Sequence, residues 1–203
     1  MSTIDQNRFD RAIARFDEEN SHDPNTETVD GKPQPREVVY AKRLTSWVHK
    51  LAPNAPEALQ LAARCQHICR WKIPRSSYPM DRPGYLKWRA ELKNFHAAKT
   101  GAILREIGYD EEMVHKVQDL NLKKNFPKDP DCRVLEDALC LVFLEHQLAD
   151  LTERFDELKL INAVQKSWIK MSPQGREEAL KIPMNERALQ LVAKALAGLQ
   201  PKT

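Results

Sequence analysis

The sequence predicts an all-α protein, a compact multi-helix domain. Three observations carry this expectation. Apolar residues recur at spacings of three and four, glycine is scarce (six in 203 residues), and alternating β-branched runs are missing. A chain of this length buries a sizeable core, and 41% hydrophobic with 30% charged residues is ordinary for a globular protein.

The elements follow in order. DQNRFDRAIARFDEEN predicts a first helix with Phe9, Ile13 and Phe16 on one side. SHDPNTETVDGKPQ reads as a polar connection rich in turn formers. Pro35 is placed to open a second helix, PREVVYAKRLTSWVHKL. A third, PNAPEALQLAARCQHICRW, has Asn54 as its candidate cap. The segment IPRSSYPMDRPG is expected to be irregular, because Pro74, Pro79 and Pro83 each oppose a helix. A fourth helix runs from about Tyr85 to Ile107 and stops at Gly108. Asp110 caps a fifth, EEMVHKVQDLNLKKN, and Asp129-Pro130 starts the apolar sixth, DCRVLEDALCLVFLEHQLADLTERF. A seventh carries Ile161, Val164 and Trp168, Ser172-Pro173 caps a short eighth, and NERALQLVAKALAGL ends the chain. The economical organisation is one helical domain over residues 1–203, with a core of about 35–170 and peripheral helices at 1–22 and 172–199.

Composition excludes several function classes. No apolar run approaches the length needed to span a bilayer, so no membrane partner is expected. The amino terminus mixes charges of both signs and lacks the apolar stretch of a secretory signal, which points to a cytoplasmic protein. Cys65, Cys69, Cys132 and Cys140 lack zinc-ribbon spacing and are expected as free thiols. Glycine-rich phosphate loops, GxSxG and HExxH are absent.

Net charge is only +3, yet it is unevenly placed. Residues 64–99 carry +7 and the remainder of the chain −4. Arg70, Arg75, Arg82 and Arg89 lead this cationic segment, and arginine suits bidentate contact with phosphate or carboxylate. Trp71, Tyr78, Tyr85, Trp88 and Phe95 are interleaved with them. The expected partner is an anionic small molecule or nucleotide bound by Arg70, Arg75, Arg82, Arg89, Trp71 and Tyr78. The alternative is RNA, its bases stacking on the aromatic residues.

Helical phase singles out three further residues. Asp137 falls at the centre of the stripe formed by Val134, Leu141, Leu144, Leu148, Leu151 and Phe155, with Glu136 turned to the flank. A carboxylate there needs a partner, because burying it unpaired costs several kcal/mol. His96 lies within the apolar face of the fourth helix beside Trp88, Leu92, Phe95 and Ile103, with Lys99 close by. His67 points away from the stripe of Leu61, Cys65 and Ile68. It either faces solvent or lines a cavity made possible by the small Ala62-Ala63 pair.

PREVVYAKRLTSWVHKL, LAARCQHICRWKIPRSSYPM, RPGYLKWRAELKNFHA, KKN, LEDALCLVFLE and SWIKMSPQGREEAL together resemble a family known as a domain of unknown function, whose members are about this long. Some of its members carry a glutamyl-tRNA synthetase label. A more distant resemblance is to the HD superfamily of metal-dependent phosphohydrolases, which makes the expected fold a divergent HD-like one. AARCQHI stands where that superfamily has its His-Asp pair, with Gln66 at the histidine and His67 at the aspartate. His96 opens the second motif, Lys123 falls near a later histidine, and Asp137 matches the final aspartate. Glu37 is the candidate substitute for the first histidine. The resemblance implies a divalent metal ion held by Glu37, His67, His96 and Asp137, with Asp137 and Lys123 as catalytic residues of phosphoester hydrolysis.

Overall fold

Side-chain caps written into the sequence set most of the helix boundaries. In the computed structural model, which describes residues 5–199, ten α-helices and one small antiparallel sheet are present among the described residues. The chain divides between Cys132 and Arg133 into two compact units.

In the first unit, α1 (Gln6–Ser21) is capped by Asp5, whose carboxylate accepts the Arg8 N–H. The segment expected to be only a connection contains a hairpin. Strand β1 (Thr26–Val29) pairs antiparallel with β2 (Lys32–Pro35), Val29 lying opposite Lys32. Asp30 and Gly31 form its turn at φ 51° and 75°. A two-residue turn with both φ positive favours Asp-Gly, a local signal that the short alternation of Thr-Glu-Thr-Val concealed.

Helix α2 (Arg36–Leu51) follows directly. Helix α3 (Glu57–Cys65) is shorter than the sequence suggests: Pro56 occupies the cap position, not Asn54, and the helix stops six residues before Trp71. Leu59, Leu61, Ala62, Ala63 and Cys65 are all fully buried, and only the face of Glu57, Gln60 and Arg64 is partly open. The chain then turns through residues 66–69, where Cys69 takes a left-handed φ of 52°. Two single-turn 3₁₀ segments, Arg70–Lys72 and Arg75–Ser77, complete the irregular stretch. Helix α4 (Arg82–Ile107) starts earlier than expected because Asp81 caps it. Pro83 falls in its first turn, where a missing N–H leaves nothing unpaired, so it begins the helix and does not break it. Gly108 ends α4 at φ 97°, and Asp110 caps α5 (Glu111–Leu122). Helix α1 packs against α2, α3 and α4, with Ala12 and Phe16 fully buried, so it contributes to this core.

The second unit begins inside α6 (Pro130–Val142) and continues through a π-helical turn over Phe143–Gln147 into α7 (Leu148–Leu151). The wider π turn shifts the phase of everything after it. Leu135, Ala138 and Leu141 before the turn, Leu144 within it and Leu148 after it form the buried row, and Phe155, beyond the end of α7, is 51% exposed, outside the stripe expected for it. Glu136, expected on the flank, is as buried as Asp137, and Lys170 Nζ stands 3.1 Å from its carboxylate. Helix α8 (Glu157–Lys170) is capped by Asp156, α9 (Pro173–Ala179) by Ser172 and α10 (Glu186–Ala197) by Asn185. Helix α10 packs against α7 and α8. Among the described residues no helix is long and apolar enough to cross a membrane, and all four cysteines are buried free thiols.

Candidate functional site

Glu37, His67 and His96, which lie far apart in the sequence, meet in the first unit. Glu37 sits in the first turn of α2, His67 in the turn after α3, and His96 in the middle of α4. His67 Nδ1 lies 3.7 Å from Glu37 Oε2, and the two imidazole rings are 5.8 Å apart. Tyr40, one helical turn after Glu37, stacks on His67 at 4.2 Å and an interplanar angle of 14°. Arg70 closes the group, with one guanidinium nitrogen 3.4 Å from His67 Nε2 and another 4.0 Å from Glu37 Oε1.

Hydrogen-bond chemistry fixes both tautomers. Arginine only donates, so His67 Nε2 accepts from Arg70 and the ring proton sits on Nδ1, facing Glu37. At 3.7 Å that proton is too far to hydrogen-bond to the carboxylate. A carbonyl only accepts, so His96 donates from Nδ1 to Ile68 O at 2.8 Å. Its Nε2 is left a bare lone pair. That atom and Glu37 Oε2 are both buried with no hydrogen-bond partner. Such atoms are rare in folded proteins and ask for an explanation.

The electrostatics agree with two neutral rings. Burial, then Arg70, His96, Arg89 and Lys123, push the His67 imidazole well below the usual histidine range. Burial lowers His96 to about 4, against the hydrogen bond to Ile68. Burial raises Glu37 to about 7, more than Arg70 lowers it, and the nearby Asp23 adds to the rise. Solvent still reaches the group, since the His67 side chain is 23% exposed and that of Arg70 30%.

The turn that carries His67 is clamped from two sides. Asn20, buried at the end of α1, accepts the Cys69 N–H at 2.9 Å, and His96 holds the Ile68 carbonyl. Cys69 and Lys123 are both left-handed at φ 52° and 55°, next to Arg70 and at the end of α5 respectively. Strained backbone of this kind concentrates at functional sites.

The cationic segment divides into structural and available members. Arg64 makes a bidentate pair with Asp17 at 2.7 and 2.5 Å, and Lys99 pairs with Glu19 at 2.8 Å, so both ends of the segment dock on α1. Arg75 turns inward and donates to the carbonyls of Tyr78, Pro79 and Asp81, bracing the proline loop. Arg70 lies over the Trp88 ring and faces His67. Arg89 is exposed two turns before His96 on α4, close enough to act on His67, whereas Arg82 is exposed at the start of that helix. Among the aromatic residues, Trp88 is buried and donates to Ile73 O, Tyr78 donates to Glu91, and Trp71 is half-buried. Phe95 is also half-buried, and Tyr85, at 43% exposed, is the open ring of the five.

Asp137 belongs to the second unit, where its surroundings are complete. One oxygen accepts the Ser172 N–H at 2.8 Å and the other the Ser172 hydroxyl at 2.5 Å. Gly175 lies so close that an added Cβ would stand 2.7 Å from the Asp137 carboxyl carbon. The partner demanded by a carboxylate on an apolar face is thus the cap of α9. Among the described residues no group of three or more His, Cys, Asp or Glu is placed to hold a metal ion. His67 Nε2, the lone pair of its ring, is engaged by Arg70. Glu37, His67 and His96 come together in the first unit, and Asp137 is taken up by Ser172 in the second.

Tyr40, Asn20 and Asp23 escaped the sequence reading. Tyr40 had a signal, since it lies three residues after Glu37 and shares its helical face. Asp23, which accepts the Glu37 N–H at 3.1 Å, sits in a loop that gives no periodicity to read.

No curated protein and no solved structure matches the chain. One family model does, described as Domain of unknown function (DUF4202), over residues 10–192. Nearly the whole chain lies within that match, and the protein belongs to this family.

Proposed function

We propose that the protein binds an anionic, phosphate-bearing small molecule at the group formed by Glu37, His67, Arg70 and His96. The observation that carries this reading is a guanidinium against a partly open imidazole: Arg70 stands 3.4 Å from His67 Nε2, the His67 side chain is 23% exposed, and Arg89 and Lys123 add to the positive field there. The one carboxylate in the group, Glu37, is itself raised to about 7 and so is only partly ionised at neutral pH. A phosphate placed over His67 neutralises that field, with Arg70 and Arg89 donating charge-assisted hydrogen bonds. Stacking on Tyr40 and the clamps from Asn20 and His96 hold the site rigid, which lowers the entropic cost of binding.

Calorimetry with inorganic phosphate and a nucleoside monophosphate at low salt tests the reading. Millimolar or tighter binding is expected, and Arg89→Ala should weaken it roughly tenfold, the loss of one charge-assisted hydrogen bond. Arg89 is exposed on α4, so its removal leaves the fold intact. No heat and no thermal shift with either compound would overturn the proposal. Binding to single-stranded RNA but not to the small phosphates would favour the RNA alternative. Release of phosphate from a bound ester, dependent on an added divalent ion, would identify the hydrolase implied by the HD resemblance.

A further inference from the structure

Two buried atoms without partners, His96 Nε2 and Glu37 Oε2, belong to the group around His67; the first accepts a hydrogen bond, and the second does so whenever the Glu37 carboxyl is ionised. Their residues are only 4% and 6% exposed. We propose that a neutral hydrogen-bond donor on the ligand, a hydroxyl carried on the same molecule as the phosphate, occupies this buried end of the site. The proposal rests on the phosphate-binding reading and narrows its ligand to hydroxyl-bearing phosphate monoesters.

A bare anion satisfies Arg70 and Arg89 but leaves both acceptors unpaired and brings negative charge toward Glu37. An ammonium satisfies the acceptors, yet it must enter a buried place beside Arg70, which stands 3.4 Å from His67 Nε2, where burial first and the cations second already keep His67 uncharged. A neutral donor meets neither objection. The protein supplies no such donor itself: the His67 Nδ1 proton is 3.7 Å from Glu37 Oε2, beyond hydrogen-bond range, and the His96 Nδ1 proton is spent on Ile68. The site therefore has two chemically distinct ends, cations toward solvent and lone pairs inside. Selectivity built on buried acceptors is strong, because a ligand lacking the donor leaves them desolvated and unpaired.

Calorimetry with glycerol 3-phosphate and n-propyl phosphate isolates the donor, since the two share their charge and carbon count. Glycerol 3-phosphate is expected to bind roughly tenfold tighter, the effect of pairing one buried acceptor. In His96→Asn the amide N–H stands where Nδ1 donates to Ile68, while the Nε2 lone pair is gone. Glu37→Met removes the other acceptor at similar volume. In one or both variants the preference should fall toward unity with propyl phosphate affinity unchanged. Equal affinity of the two esters for the wild-type protein would overturn the proposal, and so would a full preference surviving in both variants. If both esters bind equally, the phosphate reading stands without it. If neither the esters nor inorganic phosphate binds, both readings fall.

Discussion

Glu37 and His96 pull the pH dependence of stability in opposite directions. Glu37 has a folded value of about 7 against an ordinary 4.5, so the unfolded chain holds fewer protons between those values. Stability from this residue is complete below about pH 4.5 and is lost as the pH rises through 7, about 3 kcal/mol in all. His96 is lowered from 6.5 to about 4. Its contribution is complete above about pH 6.5 and is lost as the pH falls through 4, again about 3 kcal/mol. His67, also lowered, acts in the same direction as His96, and Glu37 opposes both over the shared interval, so the Glu37 slope is read by comparison with a variant that lacks it. Urea unfolding of Glu37→Gln should show stability rising from about pH 4 to 6.5 with no later fall, and a gain over wild type of about 2–3 kcal/mol near pH 8. A variant that tracks the wild-type profile in parallel would mean that Glu37 does not titrate as its burial requires. Asp137 and His96 were both legible as polar residues on apolar faces. What those faces met was not: Asp137 meets a helix cap in its own unit, and His96 a carbonyl and an open lone pair.

Caps and close approaches decide the elements. Asp137 holds Ser172, and Ser172 in turn accepts the Gly175 N–H at 3.1 Å, so one buried carboxylate anchors the start of α9. Asp137→Ala should cost about 2–4 kcal/mol in unfolding free energy, leaving two donors unpaired. Gly175→Ala drives a methyl onto the Asp137 carboxylate and should cost about 1–3 kcal/mol by overpacking. Equal stability in both variants would show that the contact is not needed. Gly84 gives the sharper test, since glycine to alanine within a helix ordinarily stabilises by up to ~1 kcal/mol. Here the new methyl collides with the Pro79 carbonyl, where the proline loop folds back onto α4. Gly84→Ala is therefore expected to lower the melting temperature, and a rise would contradict the loop geometry. The Asp, Ser and Asn caps of α4, α5, α8, α9 and α10 follow from local rules. The end of α3 and the π turn do not, because buried surroundings rather than breaker residues set them.

Across the whole molecule, the charge asymmetry has two uses. Arg64 and Lys99 spend their charge on α1, and Arg75 on its own loop, which binds the cationic segment to the fold. Arg70 and Arg89 remain beside His67. The proposed site lies wholly within residues of the first unit, so ligand binding should stabilise that unit by mass action. Hydrogen exchange with added glycerol 3-phosphate is expected to slow amides of residues 36–40, 66–72 and 89–96. Protection spread equally over residues 157–197 would contradict a site confined to the first unit.

The sequence by itself determined the all-α class, most helix starts, the family, and the short set of polar residues that could not be ordinary core. Those properties are local: they depend on apolar spacing, cap chemistry and residues read in order. The tertiary structure decided which of them meet. Glu37, His67 and His96 come from α2, the turn after α3, and α4, a convergence made by packing around the largely buried α3. Packing also sent Asp137 to a separate task and left two buried lone pairs without donors. Burial and hydrogen-bond pairing are properties of neighbours brought together by the fold, and no spacing along the chain encodes them.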